Sequence, residues 1–293
     1  EIGKWPTSNG RATACWDNLV LGLRHGKDQR IVATTTPRAV PLVRRLVQEQ
    51  DRIAITRGST YDNAANLPGM FLTTMRRQFA GTTLGRQELD GVLLADAEGA
   101  LWTSERIEAG RGRDVPLLDR IVGGLDPATT AGAGSDECGI VVVGAQTQGP
   151  PQDWRAVVLA DCTVQGATPS GWARAAISAM AQYGADRLVA EVNQGGQMVA
   201  EVLRQVDPLV PVKSVHASRG KVARAEPVAA LYEQGRVGHV VGLDALEDQM
   251  CRMTARGYEG GGSPDRVDAL VWALHELMIE PAAQWRMPGV RGL

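Results

Sequence analysis

Residues 121–145 read IVGGLDPATTAGAGSDECGIVVVGA: an apolar run closes on one acid, passes through Gly, Ala and Thr, and resumes as a second apolar run. Aliphatic and β-branched runs bounded by Gly-rich segments predict two buried strands joined by a loop. Asp126 then stands at the end of the first strand. Asp-Pro is a common turn opener, so by itself Asp126 signals a strand end. It signals chemistry only if the same fold brings other acids to it.

C-terminal to this stretch, WRAVVLADCTVQ (154–165) predicts a third strand and TPSGWARAAISAMAQYGA (168–185) a helix that Thr168 or Ser170 caps. RLVAEVNQGG (187–196) reads as a strand and Gly turn, QMVAEVLRQV (197–206) as a helix, and VPVKSVHAS (210–218) as a strand. KVARAEPVAALYEQGRV (221–237) and PDRVDALVWALHELM (264–278) read as helices. Three hairpin-connected strands followed by αβ alternation is the order of the ribonuclease H-like fold, an α/β class with a mixed sheet flanked by helices. In it the first strand is central, the fourth lies beside it, and a late helix crosses the same end. N-terminal to the stretch, residues 17–38 read as a helix, a Gly-broken turn and a short strand from Ile31 to Ala33, 40–50 return to helical spacing, and 52–56 predict another short strand. Two helical pieces flank Pro68, and 84–110 reads as a polar connector. The division expected is a first domain over 1–110 and a second over 111–293.

That topology gathers Asp126 at the end of strand one, Glu191 at the end of strand four, and Asp268 with Asp265 one turn earlier on the last helix. Like charges so close raise one another's pKa unless cations join them. A set of hard oxygen donors suits Mg²⁺ or Mn²⁺ rather than Zn²⁺, and two such ions can assist phosphodiester hydrolysis. Asp126, Glu191 and Asp268 are therefore the candidate catalytic residues, and the same three with Asp265 the candidate metal ligands. The small residues Ala128, Thr129, Gly132 and Gly134 are expected to leave space beside Asp126 for a phosphate backbone. Residues 212–224 carry Lys213, Arg219, Lys221 and Arg224 with no acid, a candidate DNA phosphate contact surface; His216 lies in the same run.

Composition sets limits. The 293 residues are 44% hydrophobic and 22% charged, with a formal net charge of −2, so DNA binding has to be local rather than bulk. The four cysteines are scattered without a C-x-x-C and the four histidines form no H-x-x-x-H, which argues against a zinc site and for a reducing, cytoplasmic setting. No apolar run reaches the length of a membrane span, and no secretory signal opens the chain.

The chain resembles the large terminase subunit of tailed bacteriophages and gene transfer agents. The phrases that carry the resemblance are ATTTPR (33–38), GSTYDNAANLP (58–68), GRQELDG (85–91), LDPA (125–128), EVNQGG (191–196), ARAEPVAALYEQGRV (223–237) and SPDRVDALVWAL (263–274), in the family's order. The resemblance implies a packaging ATPase followed by a nuclease that cuts concatemeric double-stranded DNA, with the small terminase subunit and the capsid portal as partners. Self-association on the portal is left open. It assigns the nuclease acids to Asp126, Glu191 and Asp268, with Asp265 as companion, and ATPase coupling to Thr34, Thr35 and Thr36. EIGKW resembles the tail of a Walker B motif, with Glu1 as its glutamate. The chain departs from the family in lacking G-x-x-x-x-G-K-[ST], the loop that cradles phosphates. Residues 1–110 are thus expected to be a truncated P-loop ATPase remnant, with ATP bound only by a full-length protein. Three alternatives are weighed against this reading. A sugar-kinase or actin fold needs duplicated halves that the chain does not show. A resolvase or transposase shares the three acids but leaves ATTTP and GRQELDG unexplained. A non-catalytic fragment that docks on the packaging motor is separated by a DNA-cleavage assay.

Overall fold

The computed structural model describes residues 2, 11–37, 40–49, 52–80, 83–93, 96–111, 117–127, 137–192 and 197–285. Glu1 and the small residues 128–134 beside Asp126 fall outside them. The chain forms two compact units, Glu1–Asp96 and Ala97–Leu293. No helix among the described residues is long and apolar enough to cross a membrane.

The first unit contains helices α1 (Arg11–Gly22), α2 (Pro41–Gln48), α3 (Gly69–Phe79) and α4 (Thr83–Glu88), with a 3-10 segment over Thr60–Asn66. Leu42, Val43 and Leu46 share one face of α2 and pack with Ala12 and Trp16 of α1 in a small core. Ser59 and Asp62 form a reciprocal capping box that starts the 3-10 segment. Pro68 then separates it from α3, as the sequence suggests. The strands expected at Ile31–Ala33 and 52–56 are not formed: residues 23–37 and 54–59 are loop, and Val32 is 90% exposed. A short apolar run becomes a strand only with a ladder partner, and no strand exists among the described residues of this unit to supply one. Thr34, Thr35 and Thr36 therefore lie in a loop, where Thr36 donates to Glu88 Oε2 at 3.1 Å.

The second unit begins with a segment that the sequence reads as connector. Trp102 and Ile107 are fully buried there, α5 (Ser104–Gly110) forms, and Leu101 N–H donates to Met253 O. Two large apolar residues in a polar stretch are too sparse to show periodicity, yet they suffice to bind 97–111 to this unit. β1 (Arg120–Asp126), β2 (Glu137–Gln146) and β3 (Arg155–Asp161) follow as antiparallel neighbours, with a short β4 (Val164–Gln165) paired to β2. Then come α6 (Pro169–Tyr183), β5 (Arg187–Glu191), α7 (Gln197–Val206), β6 (Val212–Val215) and α8 (Lys221–Glu233). β7 (Val237–His239), α9 (Asp244–Met250), the hairpin β8 (Met253–Thr254)–β9 (Gly257–Tyr258) and α10 (Asp265–Leu274) complete the pattern. A π-helical turn over His275–Ile279 leads into α11 (Glu280–Gln284).

The main sheet runs β6-β5-β1-β2-β3-β7, with β5 parallel to β1 and β6 parallel to β5. This is the mixed, helix-flanked sheet expected, with β1 central; β7, parallel to β3, is an added edge that the sequence reading does not anticipate. Period-two alternation divides the strands between two cores. Leu125, Ile140, Val142, Leu188 and Ala190 face α6 and α7. Val122, Val141, Val143 and Val189 face α8, α9 and α10. Both faces being covered explains the near-continuous apolar runs of β1 and β2.

Candidate active site

Alternation also aims the acids. Asp126 is in phase with Val122, and Glu191 with Val189, so both project from strand ends on the face covered by α10. β1 and β5 pair in register at Leu125–Ala190, which places Asp126 and Glu191 side by side. α10 can lie close over β1 and β2 because glycine stands at its crossing points. A Cβ at Gly124 would overlap the Ala269 carbonyl oxygen, and one at Gly139 the Asp265 carbonyl oxygen. The first turn of α10 thereby delivers Asp265 and Asp268, both buried, to the ends of β1 and β2.

The electrostatics follow from this convergence. Burial pushes the Asp126 carboxyl well above the usual carboxylate range, and the charges of Asp268, Glu191 and Asp265 add to the rise against a smaller opposing pull from Lys221. Burial also raises Asp268, although Lys221 and Arg224 oppose it.

Two cations from α8 enter the acid cluster. Arg224, 6% exposed, donates to Glu191 Oε2 at 2.9 Å and to Asp268 Oδ1 at 3.3 Å, bridging the strand acid and the helix acid. Its guanidinium carbon lies 4.7 Å from the centroid of the Trp272 ring, whose Nε1 donates to Glu191 Oε2 at 2.6 Å. His275 Nε2 donates to the Arg224 carbonyl at 2.9 Å. Lys221 Nζ lies 2.5 Å from Asp268 Oδ2 and donates to Ser263 Oγ at 2.9 Å. Burial alone would lower the Lys221 ammonium, but Asp268, Asp126 and Asp265 raise it above the usual lysine value. With these cations among the acids, no three His, Cys, Asp or Glu side chains of the described residues stand ready to hold a metal ion. The donor chemistry still suits one: the set is carboxylate oxygen throughout, which is what hard divalent cations take.

The four cations expected to line one surface are divided. Arg219 is exposed, Lys221 is half-exposed at the acids, and Arg224 is a buried brace. Lys213 lies elsewhere. It pairs with Glu276 at 2.7 Å and Glu280 at 2.6 Å, and Arg187 and Arg120 also reach Glu276, at 2.9 and 3.4 Å. Arg120 and Arg187 open β1 and β5 and Lys213 is near the start of β6, so this ion cluster occupies the opposite end of the parallel strands. A run that is contiguous in sequence is separated by strand β6, which carries Lys213 away from the loop that follows. The sequence reading missed Trp272, the bracing role of Arg224 and the two glycines. A signal existed for Trp272, which is four residues after Asp268 and so on the same helix face.

Removing the charge of Glu276 should be costly. The side chain is 6% exposed and three cations converge on it, but those cations are partly solvated and can rehydrate. Glu276→Gln is therefore expected to cost about 1–2 kcal/mol, below the full penalty of a broken buried pair. Burial would raise the Glu276 carboxyl, but Lys213 and Arg187 hold it below the usual range. Its contribution is accordingly present above the ordinary carboxylate pKa and lost as pH falls through the lowered value. Urea unfolding should show wild type ahead of the variant at pH 7 and the gap closing in acid; an equal gap at both ends would contradict this ionic account.

The family model described as Terminase RNaseH-like domain matches residues 123–277, more than half of the chain and all four acids. Among solved structures, the large terminase nuclease from thermophilic phage G20c is 20% identical, covering 55% of this chain and 84% of that chain with a TM-score of 0.41. It has also been solved with bound cobalt, zinc and magnesium. The human cytomegalovirus terminase nuclease domain is 16% identical, covering 60% of this chain and 92% of that one (TM-score 0.42). The nuclease domain of the large terminase subunit gp2 of bacterial virus Sf6 is 13% identical, covering 60% and 98% (TM-score 0.45). No curated protein matches the chain. On the family match, the central β1 and the sheet order, the chain belongs to the terminase family that carries the RNaseH-like domain.

Proposed function

We propose that this chain is a divalent-metal-dependent DNA endonuclease of a viral genome-packaging motor, cutting concatemeric double-stranded DNA. The observation that carries the proposal is the convergence of Asp126, Glu191, Asp265 and Asp268, with the charged form of the Asp126 carboxyl destabilised first by burial and then by the charges of its neighbours. Clusters of like charge are costly to fold and recur where chemistry needs them. Asp126, Glu191 and Asp268 are the catalytic acids, and Asp265 assists in holding cations. Two Mg²⁺ or Mn²⁺ ions bound there would supply the positive charge that stabilises the attacking water oxygen and the leaving 3′ oxygen of a phosphodiester. The chain's own contribution is placement: the paired ends of β1 and β5 fix Asp126 and Glu191, the close crossing of α10 fixes Asp265 and Asp268, and the Arg224–Trp272 brace holds the Glu191 carboxylate in one orientation. Membership of the family supports DNA as substrate and the small terminase subunit and capsid portal as partners. The first unit we read as packaging-ATPase sequence, on the resemblance of its motifs, with Thr34, Thr35 and Thr36 as its coupling element. Plasmid DNA incubated with the purified chain should be nicked and linearised in Mg²⁺ or Mn²⁺ and left intact in EDTA. Cleavage that persists in EDTA, or none in any divalent ion, would overturn the reading.

Arg219 and Lys221 are the cations free enough to meet phosphate, being exposed and half-exposed. Replacing Arg219 by Ala should weaken binding to all DNA sequences alike and reduce the slope of log affinity against log salt by about one unit. Lys213→Ala should leave that slope unchanged, since its charge is committed to Glu276 and Glu280. Equal effects of the two variants would restore the single-surface arrangement.

A further inference from the structure

The two cations that α8 sends into the acid cluster are held differently, and the difference assigns them different roles. Arg224 is 6% exposed, bridges two carboxylates, stacks on Trp272 and has its carbonyl tied by His275. Lys221 has a side chain 43% exposed and meets one carboxylate oxygen. Its ammonium stands 2.5 Å from Asp268 Oδ2 and also donates to Ser263 Oγ. Lys221 is also the first residue of α8, after Gly220, which offers no side-chain cap. A cation at a helix N-terminus opposes the helix dipole, so the helix does not favour it. The fields of Asp268, Asp126 and Asp265 favour it. A flexible, strongly hydrated ammonium on a long stem, attracted by acids, paired with one carboxylate and partly open to water, is suited to be exchanged.

We propose that Lys221 is a displaceable internal counter-ion: it neutralises Asp268 and its neighbours while no divalent cation is bound, competes with that cation for the site, and on displacement is released at the rim beside Arg219. Arg224 stays in place throughout. The inference rests on the divalent-cation reading of the acid cluster. It makes cation affinity a net quantity, the attraction of four carboxylates less the work of expelling an ammonium. By reciprocity, whatever draws Lys221 outward strengthens cation binding. A DNA phosphate at the rim would do so, and thus couples substrate to metal.

The test uses Mn²⁺ as probe, with free ion counted by electron paramagnetic resonance in titrations of the full chain. Lys221→Met keeps the length of the side chain and removes the charge. It should bind Mn²⁺ about tenfold more tightly than wild type, whereas a lysine that merely supports the fold would give weaker binding when lost. Lys221→Arg, with a charge that is harder to desorb from carboxylate, should bind Mn²⁺ no more tightly than wild type. In parallel, the reactivity of Lys221 toward reductive methylation, read by mass spectrometry, should rise when Mn²⁺ is added to wild type. Unchanged or weaker Mn²⁺ binding by Lys221→Met with a wild-type circular dichroism spectrum would overturn the counter-ion role while leaving the metal site standing. Absence of Mn²⁺ binding in both wild type and Lys221→Met would overturn the metal site itself, and the counter-ion role with it.

Discussion

Asp126→Asn is expected to abolish metal-dependent DNA cleavage and, at neutral pH without divalent ions, to make the protein more stable. The two effects have one cause. The Asp126 carboxyl is raised well above its ordinary range by burial and by Asp268, Glu191 and Asp265, so folding disfavours its charged form. The sign follows from linkage: a group whose folded pKa exceeds its unfolded value, about 3.9 for Asp, favours folding fully only below that unfolded value. The advantage is lost as pH rises through the folded pKa. At pH 7 the wild type therefore carries the cost, and the isosteric amide removes it. The gain should be on the order of 1 kcal/mol, a rise of about 2–4 °C in Tm for a unit of this size, and it should shrink as pH falls toward 4. Cleavage should drop about a thousandfold or more, since metal-centred charge stabilisation is worth several kcal/mol at tenfold per 1.4 kcal/mol. Saturating Mg²⁺ should raise the Tm of wild type, because only the folded state assembles the site, and raise that of Asp126→Asn less. A variant that cuts like wild type removes Asp126 from the reaction. A variant that loses stability in EDTA contradicts the account of the acid cluster as a cost carried by the fold.

What could be read in the sequence follows the range of the interactions involved. The strand β1, its terminal acid and the (i, i+3) pair Asp265 and Asp268 depend on period-two and period-3.6 patterns within single elements, and those were legible. The sheet order was legible through the sequence of element types. Contributions of isolated residues to distant surfaces were not. Trp102 and Ile107 draw 97–111 onto the second unit from within a polar stretch, and the three-residue β7 has too few positions to show a pattern. The apolar run at Ile31–Ala33 misled for the converse reason, since it has the composition of a strand and no described partner. At the site, the acids could be listed from the sequence but their counter-ions could not. Whether Lys213 and Arg224 meet phosphate or carboxylate is decided by which helix faces them, and Glu276 and Asp268 are more than forty residues away from each in the chain.

Gly124→Ala and Gly139→Ala should be the most damaging single-methyl additions in the second unit, though neither glycine adopts a backbone conformation denied to alanine. The argument is one of space alone. Each position faces main chain of α10, the Ala269 carbonyl from Gly124 and the Asp265 carbonyl from Gly139, and main chain cannot rotate aside as a side chain can. The helix has to lift, and it cannot lift locally, because Val267, Leu270, Val271 and Leu274 are buried in the same core. Overpacking with no soft neighbour sits at the upper end of its usual range, about 3 kcal/mol, or roughly 6–12 °C in Tm. Gly261→Ala, which meets open space, should lie within about 0.5 kcal/mol of wild type. The functional loss should exceed what unfolding accounts for. Raising the first turn of α10 separates Asp265 and Asp268 from Asp126 and Glu191, and displacements near 1 Å in a catalytic array can cost about a hundredfold in rate. Cleavage measured well below the variant's Tm, where it is fully folded, isolates that second effect. Wild-type stability in both variants would mean that α10 does not cross β1 and β2 at these glycines, and with that crossing would go the physical reason for the acids to meet.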